Sequence, residues 1–316
     1  GWVDMENSVG VIGIGAMGTP MVENFLEAGK AVFVFDVSKE AVAKAVAKGA
    51  VAADSPKDMV SKTKTIVSIV PNDAVLKKIA IENDDAILKA EDCSGLVHIS
   101  CSTVSPATSR QVAPVHTQKG AEFVGAPIFA RADGVKRKEA SFVVGGAPDA
   151  VKRAKEILDL TSNRVFVFGE DAGAGNVVKL CGNFMIASAI ESSAEALTLA
   201  EKNGLDRSAV MEMLSSTIFD CLIYKGYGMR VAKRQHTPGE ELVGPGFQLD
   251  LGGKDIDLVL GCGKESNVPM PFASVLRDRF LAGKAKGRGK MDWSAISLQV
   301  SEDAGDEPLA KKRKEE

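Results

Sequence analysis

Hydrophobic positions in the first half of the chain come in short unbroken runs rather than in strict alternation. SVGVIGI (8–14), AVFVFD (31–36), TIVSIV (65–70), GLVHIS (95–100), AEFVGA (121–126), SFVVGG (141–146) and RVFVFG (164–169) are rich in Val, Ile and Phe, and amphipathic stretches separate most of them. A strand that is apolar on both faces must be covered on both faces, and strands alternating with helices run parallel. The pattern therefore predicts an α/β fold, a Rossmann-type doubly wound and mostly parallel sheet. Ser55-Pro56 and Ser105-Pro106 each set a capping hydroxyl before a proline at the first helical position, and Pro148-Asp149 opens another helix.

After Gly169 the strand-like runs stop, and apolar residues recur at the three- and four-residue spacing of helices. One long helix is expected from Asn176 to Lys202, ending before Gly204 and joining the sheet to an all-α C-terminal domain. The expected domains are 8–170, 171–302 and a charged tail, 303–316. Gln235 to Gly246, with His236, Pro238, Gly239 and Pro245, reads as a surface loop. The long helix carries Lys179, Asn183, Glu191 and Glu195, too polar for a bilayer span of about 20 apolar residues. It has more apolar surface than one small helical domain covers, which favours a homodimer or homotetramer.

Charge narrows the function classes. Lys plus Arg number 39 against 42 Asp plus Glu, a net charge of −3 over 316 residues, so no global field gathers nucleic acid or an anionic membrane, and neither is expected as a partner. The five cysteines include no CxxC pair, which argues against a disulfide framework or zinc, and no metal is expected. Cys101 and Cys181 are expected to be buried, inert thiols. No stretch near the start has the form of a signal peptide. A cytoplasmic protein is expected, with nuclear import through the Lys311–Lys314 basic run as the alternative to a solvated tail. His98, His116 and His236 lack any spacing that suggests a metal or nucleophile partner, and none is assigned a catalytic role.

The chemistry concentrates in two segments. Gly13-Ile14-Gly15-Ala16-Met17-Gly18 follows the first strand and opens the first helix. In that context Gly13 permits a tight turn, Gly15 lets backbone approach a pyrophosphate, and Gly18 lets helix pack on strand, while free helix N–H groups meet the anion. Asp36 ends the second strand, where a ribose hydroxyl pair would lie; its carboxylate would repel a 2′-phosphate, favouring NAD over NADP. Asp36 could instead be a turn residue before Ser38, and Lys39 nearby would partly rescue a phosphate. In the second segment, Gly173, Gly175, Lys179 and Asn183 put an ammonium and an amide one turn apart on one helix face. Lys179 alone could be a snorkelling lysine; beside a carbonyl it could act as acid or base.

These motifs together resemble the β-hydroxyacid dehydrogenases, the family of 3-hydroxyisobutyrate dehydrogenase and tartronate semialdehyde reductase. The resemblance covers nearly the whole chain. GIGAMG is similar to the family's cofactor signature, Ser102-Thr103-Val104-Ser105-Pro106 to its STxxP segment, the Gly173–Asn183 spacing to its GxGxxxKxxxN signature, Phe247 through Lys254-Asp255 to its GFxLxLxxKD helix, and Asp292-Trp293-Ser294-Ala295 to its closing element. The resemblance implies hydride transfer between a nicotinamide cofactor and a small carboxylate substrate, a hydroxy acid in exchange with its oxo acid or semialdehyde. It implies Lys179 as acid/base, Asn183 and Ser102 on the substrate, Val70, Pro71 and Thr103 on the cofactor, and Lys254 near the nicotinamide. One strip departs from the family pattern: Phe129-Ala130-Arg131 stands where Ser-Gly-Gly is common. Phe129 would remove hydrogen-bond donors and add bulk, while Arg131 would either anchor a carboxylate or face solvent. A reductase of aldehydes or imines, and a dinucleotide-binding sensor without turnover, are the competing functions.

Overall fold

The computed structural model describes residues 5–237 and 246–306. It divides into two compact units, Gly1–Lys179 and Leu180–Glu316. The division falls inside the long helix, later than the expected boundary at residue 170.

The first unit is built on a six-stranded sheet: β1 (Ser8–Ile12), β2 (Ala31–Phe35), β3 (Val51–Ala52), β4 (Thr65–Ser68), β5 (Val97–Ser100) and β6 (Glu122–Gly125), in spatial order β3-β2-β1-β4-β5-β6. Every pairing is parallel. The helices between them are α1 (Gly18–Glu27), α2 (Lys39–Val46), α3 (Pro56–Val60), α4 (Asp73–Lys77) and α5 (Pro106–Gln118). Successive side chains of a strand point to opposite faces. Val9, Val11, Val32, Val34, Val67 and Ile99 accordingly join one buried cluster, and Ile12, Phe33 and Ile66 another. Two covered faces explain why these strands lack polar alternation. Ser55 and Ser105 cap α3 and α5 as expected, each accepting a backbone N–H within the first helical turn.

The two last strand-like runs depart from the expected single sheet. β7 (Ile128–Phe129), α6 (Ala132–Lys136), β8 (Ala140–Val144), α7 (Pro148–Leu158) and β9 (Ser162–Val167) follow, and β7-β8-β9 form a separate three-stranded sheet. β7 and β8 are antiparallel, as a short connection requires, whereas β9 runs parallel to β8 after the α7 crossover. The sheets meet where Gly125 and Gly145 exchange backbone hydrogen bonds of 3.0 and 2.9 Å. The two-residue β3 had no strand signal, because its Val-Ala sequence is short and exposed.

α8 (Ala174–Lys202) is the expected long helix. The second unit continues with α9 (Arg207–Ser216), α10 (Met229–Lys233), α11 (Leu249–Glu265), α12 (Pro271–Ala285) and α13 (Ile296–Asp303). Its core gathers Tyr227, Phe247 and Phe280 around buried Trp293. Asp292 is fully buried in an ion pair with Arg230 at 2.9 Å, and its other oxygen accepts from the Ser294 backbone and hydroxyl. The Asp-Trp-Ser-Ala segment is thus a packing element.

One expectation about a loop is corrected. His236 is not on the surface: it is buried, with Nδ1 2.9 Å from the Ser294 hydroxyl and Nε2 3.3 Å from that of Ser297. At the start of the expected charged tail, Asp303 pairs with Arg279 and Asp306 with Lys202 and Arg234. The rest of the expected loop (238–245) and the tail with Lys311–Lys314 lie outside the described residues. Among the described residues no helix is long and apolar enough to cross a membrane, and no group of three or more His, Cys, Asp or Glu is placed to hold a metal ion.

Candidate active site

In an open parallel sheet of this strand order, the crevice for a ligand opens at the carboxyl ends of the strands, where β1 and β4 send their chains in opposite directions. Gly13 leaves β1 at φ +89°, and a Cβ there would lie 2.0 Å from the Ile69 carbonyl oxygen after β4. A Cβ on Gly18 would lie 2.0 Å from the Gly13 oxygen. These two glycines are therefore demanded by the fold itself. Gly15 differs: nothing lies within 4 Å of its Cβ position. It is exposed with Ala16, beside the half-buried Met17 and the buried Ile14. No side chain caps the start of α1; the Thr19 N–H is taken by the Gly15 oxygen at 3.0 Å and Pro20 has none, so it is the exposed Gly15–Ala16 backbone leading into Gly18 that an anion would meet. The cradle fits a dinucleotide pyrophosphate.

Asp36 is bound into the same loop. One carboxylate oxygen accepts the Ile14 N–H at 2.8 Å and the other the Ser38 N–H at 2.8 Å. Asp36 thus shapes the turn, and each of its oxygens keeps a second lone pair. Across the switch point, the Val70 N–H donates to Ser102 Oγ at 2.8 Å. Ser102 is buried, 2% exposed, and braces the Val70-Pro71 turn against the segment carrying Thr103. Its neighbour Cys101 is a buried thiol whose pKa burial pushes up.

Also in the first unit, Lys179 meets Phe129: Nζ stands 4.1 Å from the ring centroid. Backbone closeness creates this contact. A Cβ on Gly175 would lie 2.3 Å from the Val143 oxygen, and one on Gly125 would lie 2.2 Å from the Ala172 oxygen. Asn176 also donates to the Val104 oxygen at 3.0 Å, pinning the start of α8. Arg131 is half-buried at the position preceding α6.

In the second unit, buried Asn183 donates from Nδ2 to Asp255 Oδ2 at 2.6 Å, and Lys254 Nζ lies 3.0 Å from Asp255 Oδ1. Asp255 is 1% exposed and was not singled out from sequence. The signal was present: Gly252, Asp255, Ile256 and Val259 share the buried helical spacing of α11. Cys181, expected to be buried, is exposed on α8.

Two of the histidines are hydrogen-bonded to each other, a pairing that their spacing in sequence does not indicate. His98 Nδ1 and His116 Nε2 are 3.0 Å apart, His98 Nε2 is 2.8 Å from Ser68 Oγ, and His116 Nδ1 is 2.9 Å from the Val112 oxygen. A carbonyl only accepts, so His116 donates to Val112, His98 donates to His116, and Ser68 donates to His98. Burial holds His98 well below its ordinary range and lowers His116 to about 4. Both rings are neutral, in the only arrangement that satisfies this chain.

Two family models match the chain. Residues 8–169 match the NAD-binding domain of 6-phosphogluconate dehydrogenase, and residues 173–299 match the "NAD-binding of NADP-dependent 3-hydroxyisobutyrate dehydrogenase". The chain belongs to the β-hydroxyacid dehydrogenase family. A 2-(hydroxymethyl)glutarate dehydrogenase of Eubacterium barkeri is 31% identical over 92% of this chain and 95% of its own length. A 3-hydroxyisobutyrate dehydrogenase of Pseudomonas aeruginosa is 31% identical over 91% of this chain and 96% of its own. Among solved structures, the 3-hydroxyisobutyrate dehydrogenase of Mycobacterium tuberculosis with L-serine superposes at a TM-score of 0.80, with 25% identity, over 93% of this chain and 98% of that one. This β-hydroxyacid dehydrogenase is an NAD(P)-dependent oxidoreductase acting on CH–OH groups.

Proposed function

We propose that the protein interconverts a small hydroxy acid and its oxo acid or semialdehyde, using NAD and Lys179 as acid/base. The observation that carries the reading is the presence, within one folded unit, of an open pyrophosphate cradle and a lysine presented by glycine-permitted packing. When bound, the nicotinamide supplies or receives the hydride. Lys179 donates a proton to the carbonyl oxygen during reduction and removes it during oxidation. Asn183, its amide oriented by Asp255, holds the substrate, and Lys254 serves the nicotinamide side.

Asp36 makes NAD the preferred cofactor, since a fixed carboxylate disfavours a 2′-phosphate. Val70, Pro71 and Thr103 border the cofactor, with Ser102 acting behind them. Arg131 anchors the substrate carboxylate. Apolar side chains exposed on α8, Met185 and Leu199, support assembly as a homodimer or homotetramer, which light scattering would measure.

Lys179→Ala tests the central assignment. Turnover is expected to fall by about 10²–10⁴-fold, with NADH binding, followed by its fluorescence, retained. Full turnover in that variant would refute the role of Lys179. NADH binding with no turnover of any hydroxy acid or aldehyde by the native protein would instead favour a sensor.

A further inference from the structure

If Lys179 carries the proton, something must hold its flexible stem. The surroundings of Val143 show how two distant segments are fixed against each other. The Val143 N–H donates to the Pro127 oxygen at 3.1 Å, which sets β7. The Val143 carbonyl lies against Gly175, where an added Cβ would be 2.3 Å away, and this sets the start of α8. One residue of β8 is therefore the common reference for Phe129 and Lys179. Phe129 is itself held by its antiparallel pairing with Ser141. Rigid backbone on both sides fixes the positions from which Nζ reaches to 4.1 Å from the ring centroid.

We propose that Phe129 is a positioning residue for Lys179, its ring face fixing the ammonium in the orientation in which it serves a substrate carbonyl. The proposal rests on the acid/base reading above. An aromatic face attracts a cation through its quadrupole. Unlike a carboxylate, it does so without accepting the ammonium's N–H bonds or neutralising its charge. A leucine at this place would fill similar space and supply no quadrupole. A tyrosine would keep the face.

Reductive ¹³C-methylation keeps the lysine charge and gives an N-methyl resonance, assignable by its loss in Lys179→Arg. A methyl over the ring face should appear upfield in the native protein, return to the ordinary lysine position in Phe129→Leu, and stay upfield in Phe129→Tyr. In parallel, Phe129→Leu should lower kcat by about three- to thirtyfold with little change in KM, and Phe129→Tyr should restore it. An unshifted Lys179 resonance in the native protein overturns the proposal without any variant having to fold. An unchanged kcat in Phe129→Leu also overturns it. If no hydroxy acid or aldehyde turns over in the native protein, the reading of Lys179 as acid/base on these substrates fails while the resonance still decides the contact.

Discussion

Asn183 donates its side-chain amide to Asp255 at 2.6 Å in the buried part of the helical unit. A buried carboxyl group that loses a hydrogen-bond donor retains its desolvation cost. Asn183→Ala should destabilise the protein by about 1–3 kcal/mol, read as a lower urea midpoint. Unchanged stability would mean that Lys254 alone satisfies Asp255.

Gly175 and Gly261 make a matched pair of tests, since both are helical. At Gly175 the obstacle to a Cβ is the Val143 carbonyl, which is backbone, whereas nothing lies within 4 Å at Gly261. Gly175→Ala should cost about 1–3 kcal/mol and displace Lys179, lowering turnover. Gly261→Ala should gain about 0.5–1 kcal/mol. Melting temperatures moving in opposite directions would verify the contrast.

For cofactor choice the informative variant is Asp36→Asn. Asp36→Ala would release the N–H groups of both Ile14 and Ser38 and mix loop disorder into the result. Asp36→Asn removes the charge and one of the two acceptors, keeping an oxygen for either the Ile14 or the Ser38 N–H, and should shift the ratio of kcat/KM for NAD over NADP toward NADP by about tenfold. Steady-state rates with each cofactor measure it. An unchanged ratio would exclude Asp36 as the discriminator.

Acid should destabilise the fold through buried histidines. His116 is lowered from 6.5 to about 4 and His236 from 6.5 to about 3, both mainly by burial. Between those values and 6.5 the unfolded chain binds protons that the folded one does not, so stability falls as pH falls through this window. Each fully uncoupled histidine contributes a slope of roughly 1.4 kcal/mol per pH unit. Denaturation midpoints from pH 7 to pH 4 should drop, and His236→Asn should flatten the curve.

Local chemistry was legible in the sequence, and long-range partnership was not. Gly13 to Gly18 are consecutive and sit between strand and helix, so their turn and their anion preference follow from residue type and context alone. The same holds for the α8 period and for the Ser55 and Ser105 caps. The β7-β8-β9 sheet escaped because strand-like composition does not specify a pairing partner. The contact of Phe129 with Lys179 escaped because a backbone approach at Val143 creates it, between segments that share no pattern. Asp255 sat in plain view on the buried face of α11, but its adjacency to Lys254 drew attention to the cation instead.

The Ser68–His98–His116–Val112 chain makes the interior of the sheet observable from outside. Its two imidazole protons sit in hydrogen bonds of fixed sense, packed against Phe123. Such protons exchange slowly with water only while the strands around them stay closed. Their downfield proton resonances would therefore serve as a native gauge of how often the first unit opens, with no label introduced and no catalytic residue touched.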